Sequence, residues 1–190
     1  MARGAEALAA GLAKWPVRSG EIRAVLDSLG RVATRELLAR RPLPAFDNSA
    51  MDGYAVQADA GKTGARLRVI GAQPAGADLG LTMGAGEAIR IFTGAPIPRG
   101  ADAVVMQEDV TRTGDDIVIG EGVEPGEFIR RQGSDLAAGQ KIIARGERIV
   151  AQNIGLLAAQ GLAEIAVGAR PRVPIVSTGA ALARPGIGNA

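Results

Sequence analysis

Three short clusters hold the side chains best suited to chemistry. The first lies in the run Pro44-Ala45-Phe46-Asp47-Asn48-Ser49-Ala50-Met51-Asp52-Gly53-Tyr54-Ala55-Val56. Asp47, Asn48 and Ser49 carry short polar side chains that bond back to nearby backbone, which favours loop over helix or strand. Asp52-Gly53 is a turn signal, and Tyr54-Ala55-Val56 reads as the strand leaving it. The second cluster is Thr93-Gly94-Ala95-Pro96, where a hydroxyl ends an alternating strand and Gly94 frees the backbone to approach a ligand. The third is Arg130-Arg131-Gln132-Gly133-Ser134-Asp135, whose adjacent arginines can clamp phosphate or another tetrahedral oxyanion bidentately. Each cluster also has an explanation that needs no ligand: a hairpin turn, a strand exit and a solvated charged turn. Surface ion pairs contribute about 0–1 kcal/mol, whereas a charge-assisted bond to a bound anion contributes roughly 1.5–3 kcal/mol. An anion is therefore what would make the arginine cluster more than a turn.

Composition narrows the chemistry. The chain has no cysteine and no histidine. That removes disulfides, thiolate chemistry, Ser-His-Asp triads and ordinary zinc sites, and leaves oxygen donors suited to hard cations such as Mg²⁺. A formal charge of +2 with 3% aromatic residues does not describe a nucleic-acid surface. No apolar run approaches the roughly 18 residues of a membrane span, and Glu6 and Lys14 interrupt the Ala-rich start, so no membrane partner and a cytoplasmic location are expected.

The elements that must position these clusters follow from periodicity. Leu8, Leu12 and Trp15 share one face of a short helix closed by Pro16, and Ile22 to Leu26 reads as a strand. Short apolar runs then alternate with Gly/Pro clusters: Leu67–Ile70, Ile89–Ile91, Ala103–Met106, Ile117–Ile119 and Phe128-Ile129. This spacing predicts a small β-barrel or meander. A strand at Lys141–Ile143 precedes a helix with Val150, Ile154 and Leu157 on one face and Gly161 at its end, and Ala163–Val167 and Val173–Val176 are short strands. Helices this short need partners. The expected fold is α+β: a small discontinuous α/β domain from residues 1–50 and 139–172, an inserted β-rich domain at 51–138, and the start of a third domain at 173–190.

The run FDNSAMDGYAV resembles the signature of the molybdopterin molybdenumtransferase family, bacterial MoeA and the matching domain of gephyrin. Arg90–Pro98 with Gly100–Glu108, Ile129–Asp135 and Val176–Gly179 resemble further segments of that family in the same order. The resemblance implies an elongated molecule with the domain arrangement above. It also implies insertion of molybdate into adenylylated molybdopterin in molybdenum cofactor biosynthesis, with Mg²⁺ required and a homodimer as the working form. Asp52, Thr93, Arg130 and Asp135 fall on positions implicated in function in the family and are the expected catalytic residues. Asn48, Ser49, Arg131 and Ser177 are the expected substrate-binding residues, and no residue is assigned to the metal.

The chain departs from the family pattern at Gln132, Ser134 and Ala180-Ala181, each of which lowers the charge expected there. The pterin-binding domain that the resemblance places after Val173 is not in the sequence, so the chain is expected to be inactive alone. Two readings stay open: the N-terminal part of a molybdenumtransferase, or a diverged, non-catalytic module that binds an anion or a partner.

Overall fold

The computed structural model describes residues 20–170. Leu8, Leu12, Trp15, the strand Val173–Val176, Ser177 and Ala180-Ala181 lie outside the described residues. The fold is mostly β, and its largest element is a curled half-barrel sheet. The chain divides into two compact units; within the described residues one comprises 20–36 and 143–170, the other Leu37–Ile142.

The second unit is built on six strands: β4 (Gly53–Val56), β5 (Arg66–Gln73), β6 (Glu87–Ile91), β7 (Ala103–Met106), β8 (Val110–Thr113) and β9 (Asp116–Ile119). Their order across the sheet is β7-β4-β6-β5-β9-β8. All neighbours are antiparallel except β5 and β6, whose register slips between Val69 and Gly71. Such an irregularity bends a strand and increases its twist, which suits a sheet that curls. Strand alternation sends side chains to two faces. Tyr54, Val56, Leu67, Ala88, Val105, Ile117 and Ile119 form one core, and Ala55, Met83, Ile89, Ile91 and Val104 form the other. The short spacing of apolar runs between Gly and Pro residues made these strands legible.

Two further strand pairs are short. The strand β3 (Asn48–Ser49) pairs with β10 (Ile129–Arg130), and β2 (Leu37–Leu38) pairs with β11 (Lys141–Ile143). The segment 37–50, expected with the first domain, lies in the second unit instead. Backbone bonding explains this. Ser49 N–H donates to Ala95 O, Ala50 N–H to Phe128 O, and Leu43 exchanges bonds with Leu136, so the segment is stitched to the sheet's own loops.

The first unit pairs β1 (Gly20–Ala24) with β12 (Glu164–Gly168). The strand expected to reach Leu26 stops at Ala24 and passes into a 3-10 turn over Val25–Ser28. The helix α1 (Ala151–Ala159) is the only α-helix among the described residues, and it buries Leu157. Val150 precedes it with no capping side chain of its own; its N–H donates to Asn153 Oδ1 at 3.0 Å. Gly161 follows in the left-handed region (φ 73°), where its N–H bonds Ala158 O, as a helix stop requires. No helix among the described residues is long and apolar enough to cross a membrane.

Candidate functional site

All the described candidate residues lie in the second unit: Asn48, Ser49 and Arg130 in the short strands β3 and β10, and Asp52, Thr93, Arg131 and Asp135 in loops beside strands. The Asp52-Gly53 step is the centre of the arrangement. It was expected to be a hairpin turn, but Gly53 is not in the left-handed region and opens β4 directly. Glycine is required there for a different reason: a Cβ would stand 1.9 Å from Val105 O on the adjacent strand. Close approach of two backbones, rather than turn geometry, selects it.

That approach fixes where Asp52 projects. Its backbone carbonyl accepts from Gln107 N–H at 3.1 Å, just past the end of β7. Its Oδ1 accepts from the backbone N–H of Thr93 at 2.8 Å and from Thr93 Oγ1 at 2.7 Å. Thr93 lies just beyond β6 and holds the Asp52 carboxylate, while Gln107, just past β7, holds its backbone carbonyl. The Thr93 N–H, then its hydroxyl, then the charge of Arg90 keep the Asp52 carboxyl below the usual carboxylate range. Asp52 is therefore an oriented anion at neutral pH, partly open to solvent.

The arginine cluster is joined to this pair through β3. Asn48 sits opposite Arg130 in the β3–β10 ladder, and Ser49 O accepts from Gly94 N–H next to Thr93. Arg130 pairs with Asp135 at 2.6 Å, and Ser134 Oγ also donates to Asp135 at 3.2 Å. Arg131 pairs with Asp47 at 2.7 Å. Both pairs are exposed, so each contributes only about 0–1 kcal/mol. One nitrogen of each guanidinium is used in this way. An arginine carries five N–H donors, so both can still offer a fork to an oxyanion.

Asn48 and Ser49, expected to bind substrate, are placed inside the loop. Both are buried, at 4% and 0% exposure. Asn48 Nδ2 donates to Phe46 O, and Ser49 Oγ bonds the backbone of Met51. They shape the loop from inside and do not face solvent; a buried polar side chain needs a hydrogen-bond partner, and nearby backbone supplies it here.

Sequence reasoning missed four partners. Asp47, read as bonding within its own loop, reaches across to Gln132 N–H at 2.7 Å as well as to Arg131. The Gln132 backbone, then Arg131, hold its carboxyl below the usual range. Gln132, read as a lost charge, ties the same turn down through Ala45 O at 2.7 Å. Arg90 and Gln107 were visible only as members of a longer motif; nothing in their local sequence announced contacts that depend on strand order.

The donor set does not fit Mg²⁺ by itself. No group of three or more carboxylates that could hold a metal converges among the described residues, and Asp135 spends its oxygens on Arg130 and Ser134.

Comparison with known proteins places this geometry. The sequence family described as "MoeA N-terminal region (domain I and II)" matches residues 3–161. The chain belongs to that family. Molybdopterin molybdenumtransferase 2 of Mycobacterium tuberculosis (strain ATCC 25618 / H37Rv) is 44% identical over 162 residues, covering 83% of this chain and 40% of that protein. The molybdopterin molybdenumtransferase of Synechococcus elongatus is 38% identical over 161 residues, covering 82% of this chain and 40% of that protein. The crystal structure of the molybdopterin biosynthesis moeA protein from Pyrococcus horikoshii OT3 superimposes with a TM-score of 0.76 at 33% identity, over 80% of this chain and 41% of that one. The chain thus spans about 40% of the length of the curated relatives it matches. The MoeA N-terminal match includes Asp52, Thr93, Arg130 and Asp135.

Proposed function

We propose that this chain is the N-terminal part of a molybdopterin molybdenumtransferase, which inserts molybdate into adenylylated molybdopterin during molybdenum cofactor biosynthesis. The observation that carries the reading is the Asp52–Thr93 pair: an ionised carboxylate held by two hydrogen bonds at a partly open edge, inside the region matched to the family. In this reading Asp52 and Thr93 act on the reacting groups. Arg130 and Arg131 attract the anionic substrates, and Asp135 and Asp47 hold those arginines until an oxyanion competes for them.

The proposal extends to a cytoplasmic, elongated α+β homodimer that requires Mg²⁺. These features are carried by the family likeness and by composition. The metal would need ligands from outside the described residues. Light scattering, and the metal dependence of insertion, check the dimer and the Mg²⁺.

The deciding experiment replaces the matching N-terminal part of the Mycobacterium tuberculosis relative with this chain and assays molybdate insertion. The chimera should be active, and Asp52→Asn should lower turnover about tenfold or more while leaving the fold intact, since loss of about 1.4 kcal/mol suffices. Unchanged turnover in a stable Asp52→Asn protein would return Asp52 to a structural role and favour the non-catalytic module.

A further inference from the structure

Arg90 lies close to two aromatic rings. It sits opposite Tyr54 in the β4–β6 ladder, and Phe92 follows two residues later on the same face. Its guanidinium carbon lies 5.1 Å from the Tyr54 ring centroid and 4.9 Å from that of Phe92. Held against these rings it has little freedom to swing. One arm donates to Gly53 O at 3.0 Å, and the other reaches Gln107 Oε1. Gln107 in turn donates its backbone N–H to Asp52 O. Two successive carbonyls, those of Asp52 and Gly53, are therefore held by Gln107 and Arg90, which are themselves bonded to each other. Arg90 forms no ion pair among the described residues.

We propose that Arg90 is a positioning residue: clamped by Tyr54 and Phe92, it locks the Asp52-Gly53 step so that the Asp52 carboxylate stays seated on Thr93. The role of Asp52 in molybdate insertion rests on the proposed function above; the placement of Asp52 by Arg90 does not. Arg90 spends its fork on the turn and leaves substrate to other groups. Its loss should show as a misplaced carboxylate rather than as weaker substrate binding.

The test uses the chain itself, labelled for NMR, with Arg90→Gln, Arg90→Lys and Arg112→Gln. Arg112 lines the same shallow 390 Å³ cavity as Arg90, but its recorded bond goes only to Gly114 O, so it controls for a general change of charge. Arg90→Gln should shift the Thr93 amide resonance and speed its hydrogen exchange about tenfold or more, while amides in β9 and β8 keep their protection. Arg90→Lys keeps the charge but lacks the planar fork, so it should show the same selective loss to a smaller degree. Arg112→Gln should leave Thr93 as in the parent chain. In the active chimera, Arg90→Gln should lower kcat with KM for molybdate held within about twofold.

An unmoved Thr93 amide in Arg90→Gln overturns the inference. So does protection lost evenly across the sheet, or an equal effect from Arg112→Gln. If Arg90→Gln does not fold, Arg90→Lys decides by the same criteria. If Thr93 responds as expected but Asp52→Asn leaves insertion intact, the proposed function fails and the placement by Arg90 stands.

Discussion

Gly53→Ala tests whether the backbone crossing beneath Asp52 is as close as described. The added Cβ would meet Val105 O at 1.9 Å, Val105 C at 2.9 Å and Met106 Cα at 3.2 Å. Non-bonded heavy atoms settle near 3.5–4.0 Å, so β7 would have to retreat by more than about 1 Å. That retreat opens a ladder running from Gly53↔Met106 to Val56↔Ala103, beside a core in which Val104 and Val105 are fully buried. Overpacking costs about 1–3 kcal/mol, and the upper end applies because the atoms met are backbone and cannot rotate away. Adding a weakened ladder bond of about 1 kcal/mol gives roughly 3–4 kcal/mol. For a unit of about 100 residues each kcal/mol lowers Tm by about 4–8 °C, so a fall of at least about 12 °C is expected in a thermal melt. Gly71→Ala is the matched control in β5, where the new Cβ meets only Leu81 Cδ1 at 3.6 Å, an ordinary contact. A Gly53→Ala melt within about 4 °C of the parent chain, or no different from Gly71→Ala, would refute the close-approach argument and restore the hairpin reading.

The remaining predictions concern charge and capping. The Thr93 amide resonance should titrate with a midpoint below the ordinary aspartate value of about 3.9, because its carboxylate partner Asp52 is stabilised in the charged form; a midpoint at or above that value would contradict the two hydrogen bonds. Asp47→Asn should cost about 1 kcal/mol or less at pH 7, since the Arg131 pair is exposed. The folded pKa of Asp47 is depressed, so its contribution is present above the unfolded value and lost as pH falls through the folded one. Urea melts of the two proteins should therefore converge in acid, and a gap that persists to pH 2 would sink the assignment. Val150→Ser should stabilise the first unit by about 0.5–2 kcal/mol, by supplying the capping oxygen that Val150 lacks; an unchanged melting temperature would show that the Asn153 bond already suffices.

How much of this was legible in sequence depended on whether the signal was local. Strands β5, β6, β7 and β9 followed from apolar runs between Gly and Pro, and Gly161 marked the helix end because a left-handed stop is a one-residue property. The Arg130–Asp135 pair was within reach for the same reason, being five residues apart in one turn. What escaped was set by the order of strands. Asp47 bonds Arg131 and Gln132 more than eighty residues away, as β3 pairs with β10. Arg90 reads as an ordinary polar position on β6 until β4 lies beside it and supplies Tyr54 and Gly53 O. The domain boundary at 50/51 failed similarly: the FDNSAMDGYAV run looked like a border, but Ser49 and Ala50 already bond into the sheet's loops.

The same strand order bears on the chemistry of the edge. Asp135 and Asp47 are paired with Arg130 and Arg131, and Asp52 is held by Thr93, so most charges near the candidate site are already bonded. Such an edge has little net field to steer an anion from a distance. What it offers instead is order: two guanidinium groups held at their positions by exposed carboxylates, and one carboxylate held by a hydroxyl and an amide. An incoming oxyanion that takes over an arginine N–H loses little, because the pair it disturbs is exposed and weak. It gains a charge-assisted bond whose orientation is already set. The weakness of the Arg130–Asp135 and Arg131–Asp47 pairs is then compatible with a working site, since a strong, buried pair would hold its arginine too tightly to share. Asp52 differs in kind. Its partners are Thr93 donors rather than a cation that an anion could compete for, so its charge and direction persist whatever occupies the neighbouring arginines.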